Sequence, residues 1–303
     1  MPTRRLYRQD SYARDFQAVV TASERGAGPT RVVLDETLFY PTAGGQQHDE
    51  GTLAGCRVVD VLNEGDEVVH VLDGAPALEP GTQVSGSLDW ARRLDFMQQH
   101  TGEHILGQAF LRLGYGVIAV AMGESTCTLD LGAAVSDEEA SRAEEMANEA
   151  VWAGHPVSAY ELPEPEALAL PLRRPPAVSG SIRVVQIGDF DYSACGGTHL
   201  RNSAEVGMVK VLGTERVKGG ATRVYFHCGR RALADYRLKH AIVAGLARDF
   251  STSEDKVPDR IAAALEDGGA ARRDLADTRA RLAAEIAARL AAGATGTGVA
   301  VHE

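Results

Sequence analysis

The stretch Gln98-Gln99-His100-Thr101-Gly102-Glu103-His104 sets two imidazoles at i and i+4. On a helix such residues share one face, about 5–6 Å apart, a separation that suits two nitrogens on one zinc ion. A thiol and a third imidazole recur at the same offset in Cys195-Gly196-Gly197-Thr198-His199, here on a glycine-rich turn. Three imidazoles and one thiolate form a mixed set that zinc accepts readily. The alternative is a pair of core histidines bonded to their neighbours, but a distal Cys/His pair at the matching offset favours metal. The two pairs lie far apart in sequence, unlike the ligands of a self-contained zinc finger. The fold must therefore bring them together.

A second stretch with chemical capacity is Phe39-Tyr40-Pro41-Thr42-Ala43-Gly44-Gly45-Gln46-Gln47. Gly44 and Gly45 allow backbone N–H groups to approach a ligand, and Gln46 can both donate and accept. The alternative is a tight loop between strands. No helix follows it, so it is not a phosphate loop of a familiar type. Asp191, just before the Cys195 turn, is placed either to orient water or act as a base, or to close an Asx turn.

The elements that must position these groups follow from periodicity. Phe16 to Val20, Arg31 to Leu34, Arg57 to Leu62, Val68 to Leu72 and Gln83 to Leu88 read as short strands, with Asn63-Glu64-Gly65-Asp66 as a hairpin turn. Together they predict a small all-β module, a barrel. Asp89 can cap a helix from Trp90 to about Leu113, stopped by Gly114. Arg93, Met97, His100, His104, Gly107 and Leu111 share a stripe on it. Extended segments at Tyr115 to Val120 and Thr126 to Leu131 precede a capping box, Ser136-Asp137-Glu138-Glu139, that opens a helix to about Ala153. Strands His155 to Leu162 and Ile182 to Ile187 flank a Pro-rich crossing at 163–176, and strands near Val206 to Leu212 and Thr222 to Phe226 follow. From Arg230 the chain turns helical, and Leu275, Thr278, Leu282, Ile286 and Leu290 are spaced as in a coiled-coil hairpin that could dimerise. The expected fold class is α+β in three parts: a small β-barrel at 1–88, an α/β zinc-binding domain at 89–229, and a helical hairpin or coiled coil at 230–303. A strand-like Val299-Ala300-Val301 suggests the start of a further domain.

The 303 residues are 44% hydrophobic and 24% charged, an ordinary soluble composition. No segment approaches the ~20 apolar residues of a membrane span, and the N-terminus lacks a signal core, which places the protein in the cytoplasm. Four scattered cysteines argue against a disulfide framework. A net charge of −11 speaks against a nonspecific nucleic-acid coat. Local basic patches remain at Arg4, Arg5 and Arg8, at Arg92 and Arg93, at Arg173 and Arg174, at Lys210, Arg216, Lys218 and Arg223, and at Arg230 and Arg231.

The order and rough spacing of the glycine-rich loop, the His100/His104 helix, Gly188-Asp189-Phe190 and the Cys195 to His199 turn resemble the freestanding alanyl-tRNA editing proteins, the AlaX group. These are similar to the editing domain of alanyl-tRNA synthetase and, more distantly, to that of threonyl-tRNA synthetase. The Cys195 turn is nearly diagnostic. The loop departs at Thr42-Ala43, where many members carry an acidic residue or another glycine. The resemblance implies a central domain of the threonyl/alanyl second additional type. It also implies hydrolysis of the ester that links serine or glycine to the terminal adenosine of alanine tRNA, with Zn2+ held by His100, His104, Cys195 and His199. A synthetase pocket sized for alanine excludes glycine poorly and discriminates weakly against an added hydroxyl, so a second hydrolytic sieve is useful. Thr42, Gln46, Gln99 and Thr101 are candidates to recognise the serine hydroxyl. Gly44, Gly45, Gly196, Gly197 and Thr198 are candidates to bind substrate, and Asp191, Gln99 and Thr101 to assist catalysis. Two rivals exist. His100-Thr101-Gly102-Glu103-His104 also reads as H-x-x-E-H, an inverted zinc-peptidase pattern that makes Glu103 essential and Cys195 and His199 dispensable. A noncatalytic tRNA-binding module with structural zinc would bind with a salt-dependent affinity and show no turnover.

Overall fold

The computed structural model describes residues 2–25, 28–74 and 76–293. The chain falls into two compact units, Met1–Ala234 and Asp235–Glu303. In the first unit, β1 (Arg4–Arg5) and β4 (Glu36–Thr37) form a short parallel ladder. The strands β2 (Asp15–Arg25), β3 (Thr30–Leu34), β5 (Gly51–Leu53), β6 (Cys56–Glu64), β7 (Glu67–Leu72) and β8 (Gln83–Leu88) close into a barrel in the order β2-β3-β7-β6-β5-β8. Alternating side chains such as Val20, Val32, Leu34, Val58, Val61, Val68 and Val84 fill its interior. The sequence predicts five of the six barrel strands and misses β5, which is three residues long. That strand closes the barrel because Gly51 permits it: a Cβ there would lie 2.1 Å from the Ser87 carbonyl oxygen on β8.

The same unit continues with α1 (Trp90–Arg112), β9 (Val117–Met122), β10 (Cys127–Leu131), α2 (Asp137–Trp152), β11 (Val157–Pro163), α3 (Glu164–Leu168), β12 (Ser181–Ile187), β13 (Asp191–Ala194), β14 (Val209–Arg216) and β15 (Thr222–Cys228). They build a four-stranded sheet, β14-β15-β10-β9, and a three-stranded sheet, β11-β12-β13. The alternation of strands and helices suggests an α/β arrangement here, but every ladder in both sheets is antiparallel. The physical reason is connectivity: α2 links β10 to β11, which belong to different sheets, so no parallel crossover forms.

Asp89 caps α1 by accepting from the Arg92 N–H at 3.1 Å. The helix is the spine of the largest core cluster, where Phe96, Met97, Ile105, Leu106 and Phe110 meet Leu129, Val224 and Phe226. Gly102 lets it approach β15, since a Cβ there would lie 2.2 Å from Cys228 Sγ. Fully buried Arg93 ties α1 to the loop after β4, its guanidinium reaching Asp49 Oδ2 at 2.5 Å and the Leu38 carbonyl at 2.6 Å. The boundary expected at 88/89 therefore lies inside one compact unit.

Two further helices, α4 (Gly229–Asp249) and α5 (Val257–Gly293), complete the described chain. Leu275, Leu282, Ile286 and Leu290 do form a stripe on α5, but each is 49–60% exposed. Among the described residues no segment covers that stripe, so the expected coiled coil does not form within the single chain. The strand expected at Val299-Ala300-Val301 lies outside the described residues. Among the described residues no helix is long and apolar enough to cross a membrane.

Candidate metal centre

His100 and His104 project from α1, and Cys195 and His199 from the turn that follows β13. One ligand atom from each of the four lies within 4.8 Å of those of the others. Cys195 Sγ is 3.4 Å from His100 Nε2 and 3.3 Å from His199 Nε2. The turn is held locally: the Gly197 N–H donates to Cys195 Sγ at 3.3 Å, and Arg183 Nη1 donates to the carbonyls of Cys195 at 2.8 Å and Gly197 at 3.0 Å. Gly197 is dictated by the approach of the helix, because a Cβ there would sit 2.2 Å from His100 Cε1.

Each imidazole rests on an oxygen through Nδ1. His100 Nδ1 meets Gln46 Oε1 at 2.7 Å, His104 Nδ1 meets Asp191 Oδ2 at 3.1 Å, and His199 Nδ1 meets Thr101 Oγ1 at 3.3 Å. With Nδ1–H donating, the three Nε2 atoms are left as lone-pair donors. Metal-ligating histidines are oriented in this way. Burial by itself would raise the Cys195 thiol, but the neighbouring His100 and His199 outweigh it and hold the thiol well below its ordinary range. Burial, then the neighbouring His100, pushes His199 well below its ordinary value and favours its neutral form. Burial also works against a charged His104, yet the bond to Asp191 and the Cys195 sulfur raise it to about 9. A thiolate, oriented imidazoles and no backbone obstruction together fit a bound divalent metal.

The cluster opens on a cleft of about 760 Å³, within the usual range for small-ligand sites, whose walls include Tyr40, Gly44, Val120, Arg173, Ser193 and Gly196. Gly44 and Gly197 line it as well. Gly45 sits behind, its carbonyl accepting from the Met122 N–H at 2.8 Å. Gln46 is fully buried, and its Nε2 donates to Thr198 Oγ1 at 2.9 Å, so both side chains brace His100 away from the cleft. Thr42 is exposed and turned to His48, whose N–H donates to its Oγ1 at 3.1 Å. Gln99 is fully buried and both ends of its amide bond the Cys228 backbone, at 2.8 and 3.0 Å, and it does not line the cleft. Thr101 is likewise buried beneath His199, its Oγ1 also accepting from the Leu200 N–H at 3.1 Å.

Asp191 stands behind His104 and accepts from Ser193 Oγ at 2.9 Å. Its other oxygen has no hydrogen-bond partner and faces Arg173 Nε at 3.9 Å. Arg173 in turn grips Glu103 with both Nη atoms, at 3.1 and 3.2 Å. Burial opposes the Glu103 charge, but Arg173 more than compensates and lowers the carboxyl below its ordinary range. Gly107 makes room for this arginine, since a Cβ there would lie 2.0 Å from Nη1. Arg173 and Ser193 carry no motif in the sequence. Only the Arg173-Arg174 pair hints at them, and paired arginines are commonly plain surface.

Residues 182–225, which carry β12, Asp191 and the Cys195 turn, match the threonyl and alanyl tRNA synthetase second additional domain. Residues 11–92 match the class II (A) tRNA synthetases. The chain is 37% identical to the alanine--tRNA ligase of Pyrobaculum neutrophilum over 312 aligned positions, covering 94% of this chain and 33% of that protein. It is 34% identical to the alanine--tRNA ligase of Pyrococcus abyssi, covering 93% of this chain and 32% of that protein. The chain thus spans about a third of the length of the curated relatives it matches. Over nearly its whole length it is a relative of the alanine--tRNA ligases, and it carries the second additional domain shared by the threonyl and alanyl enzymes on the segment that delivers Cys195 and His199.

Proposed function

We propose that this chain is a cytoplasmic hydrolase that removes serine, and glycine, from mischarged alanine tRNA at a zinc site formed by His100, His104, Cys195 and His199. The observation that carries the reading is the convergence of a thiol and three oriented imidazoles, of which Cys195, His100 and His104 line a cleft large enough for an aminoacylated adenosine. Zinc bound there would supply a Lewis acid that brings the pKa of water towards neutrality. The protein's own groups hold and orient: Asp191, Thr101 and Gln46 fix the three imidazoles, and Arg173 fixes Asp191. Gly44, Gly196 and Gly197 form wall without side chains, which leaves space for the ester and a small amino acid. Thr42, Gly45 and Thr198 act through the loop and turn they shape, not by touching substrate.

The inverted peptidase reading is disfavoured by Glu103, because both its oxygens are held by Arg173 and a general base needs a free one. Cys195→Ala should lower zinc content and abolish deacylation, as a ligand is lost. Zinc determination alongside release of labelled serine from the tRNA checks this, and full activity in metal-depleted protein would refute the zinc requirement.

A further inference from the structure

In a chain of net charge −11, the rim of the cleft is cationic. Arg5, Arg8 and Arg174 line it together with Arg173. Beside it lies a second hollow of about 710 Å³, which shares Arg5 and Arg8 with the first and adds Arg183, with Asp66 and Glu161 also on its wall. Arg173 is neutralised by Glu103, but among the described residues Arg5, Arg8, Arg174 and Arg183 have no carboxylate within ion-pair distance, whereas most other arginines in this unit have one. Glu161, the register partner of Arg183, accepts from Ser181 at 3.3 Å instead. Arg8 adds an independent sign of an absent partner: its Nε is buried and makes no hydrogen bond. Its Nη2 lies 3.7 Å from where a Gly196 Cβ would stand, beside the turn that carries Cys195. Arg5, Arg174 and Arg183 bond only neutral oxygens, Asn63 Oδ1 at 2.7 Å, the Val117 carbonyl at 3.3 Å and the Cys195 carbonyl at 2.8 Å, so their charges are uncompensated. Like charges are costly to hold together, and a row of guanidiniums matches a chain of phosphates, which each can meet through two N–H groups.

We propose that Arg5 and Arg8, with Arg174 across the cleft, bind the backbone phosphates of the single-stranded end of a nucleic acid whose terminal nucleotide enters the metal-bearing cleft, and that the second hollow continues this track. This rests on the hydrolase reading given above and names the groups by which its polyanionic substrate is held. The rest of the acidic chain repels such a substrate, so the rim also fixes where it lands.

The test uses the full-length, zinc-loaded protein and unmodified alanine tRNA as the probe, with binding measured from 50 to 200 mM KCl. Each lost single-strand phosphate contact should flatten the slope of log K against log salt by about 0.7. For Arg5→Gln/Arg8→Gln the expected change is about 1.4, so that the wild-type advantage shrinks about sevenfold across that range. Arg5→Gln/Arg174→Gln, which leaves the half-buried Arg8 in place, gives a second reading if the first variant folds poorly. Arg216→Gln/Lys218→Gln, at the far end of β14, is the control and should leave the slope unchanged. A slope unaltered in both rim variants, or reduced only in the control, overturns the inference. Because binding is read without turnover, loss of the slope in a protein that never deacylates would sink the hydrolase reading and keep the phosphate track.

Discussion

At Gly197 any side chain collides with an imidazole. Alanine there must displace His100 or the turn, so Gly197→Ala should weaken zinc binding at least tenfold while the fold, whose cores lie elsewhere, persists. Competition against a chromophoric chelator reads this directly. Asp191→Asn keeps the shape but removes the charge that raises His104 and faces Arg173. Losing such an orienting carboxylate typically costs 10–100-fold in metal affinity, and the same titration should show it. The four candidate ligands were legible because each pair is local and regular in spacing. The roles of Gln46 and Asp191 were not, since their partners lie 54 and 87 residues away and nothing in either stretch marks the meeting. Gln99 misled for a related reason: adjacency to His100 in sequence puts it on another face of α1, towards Cys228.

The barrel carries a buried histidine with its own consequence for pH. His70 is fully enclosed, held by Thr37 at 2.8 Å and the Val32 carbonyl at 3.1 Å, and burial lowers its pKa to about 4. Unfolded, it titrates near 6.5, so the unfolded chain takes up the proton first. Its contribution is therefore intact above about pH 6.5 and is lost as pH falls towards 4, by on the order of 3 kcal/mol. Urea unfolding of the metal-free protein at pH 7.5 and 4.5 should show this drop, and His70→Gln should remove most of its difference between the two pH values. Equal pH dependence in both proteins would mean that other groups dominate. At this scale long periodic elements were readable: α1 from its stripe and Asp89 cap, α2 from its capping box, β6 and β7 from the Gly65 turn. Short β5 was not, because it exists only through its register with β6 and β8. The antiparallel sheets were also hidden, since no local pattern records which sheet a strand joins.

At the scale of the molecule, a net charge of −11 and a cleft lined by Arg5, Arg8, Arg173 and Arg174 would, on the proposal above, steer a polyanion towards that cleft. Among the described residues the α5 stripe is uncovered, which its spacing alone could not show. Chemistry at the His100, His104, Cys195 and His199 cluster is read by the deacylation rate of serine-charged alanine tRNA beside alanine-charged tRNA, with zinc-loaded and zinc-stripped protein. Rapid loss of serine only with zinc present, with alanine largely spared, is the expected result. Equal rates with and without metal, or tRNA binding by the zinc-loaded protein with no loss of serine, would contradict it.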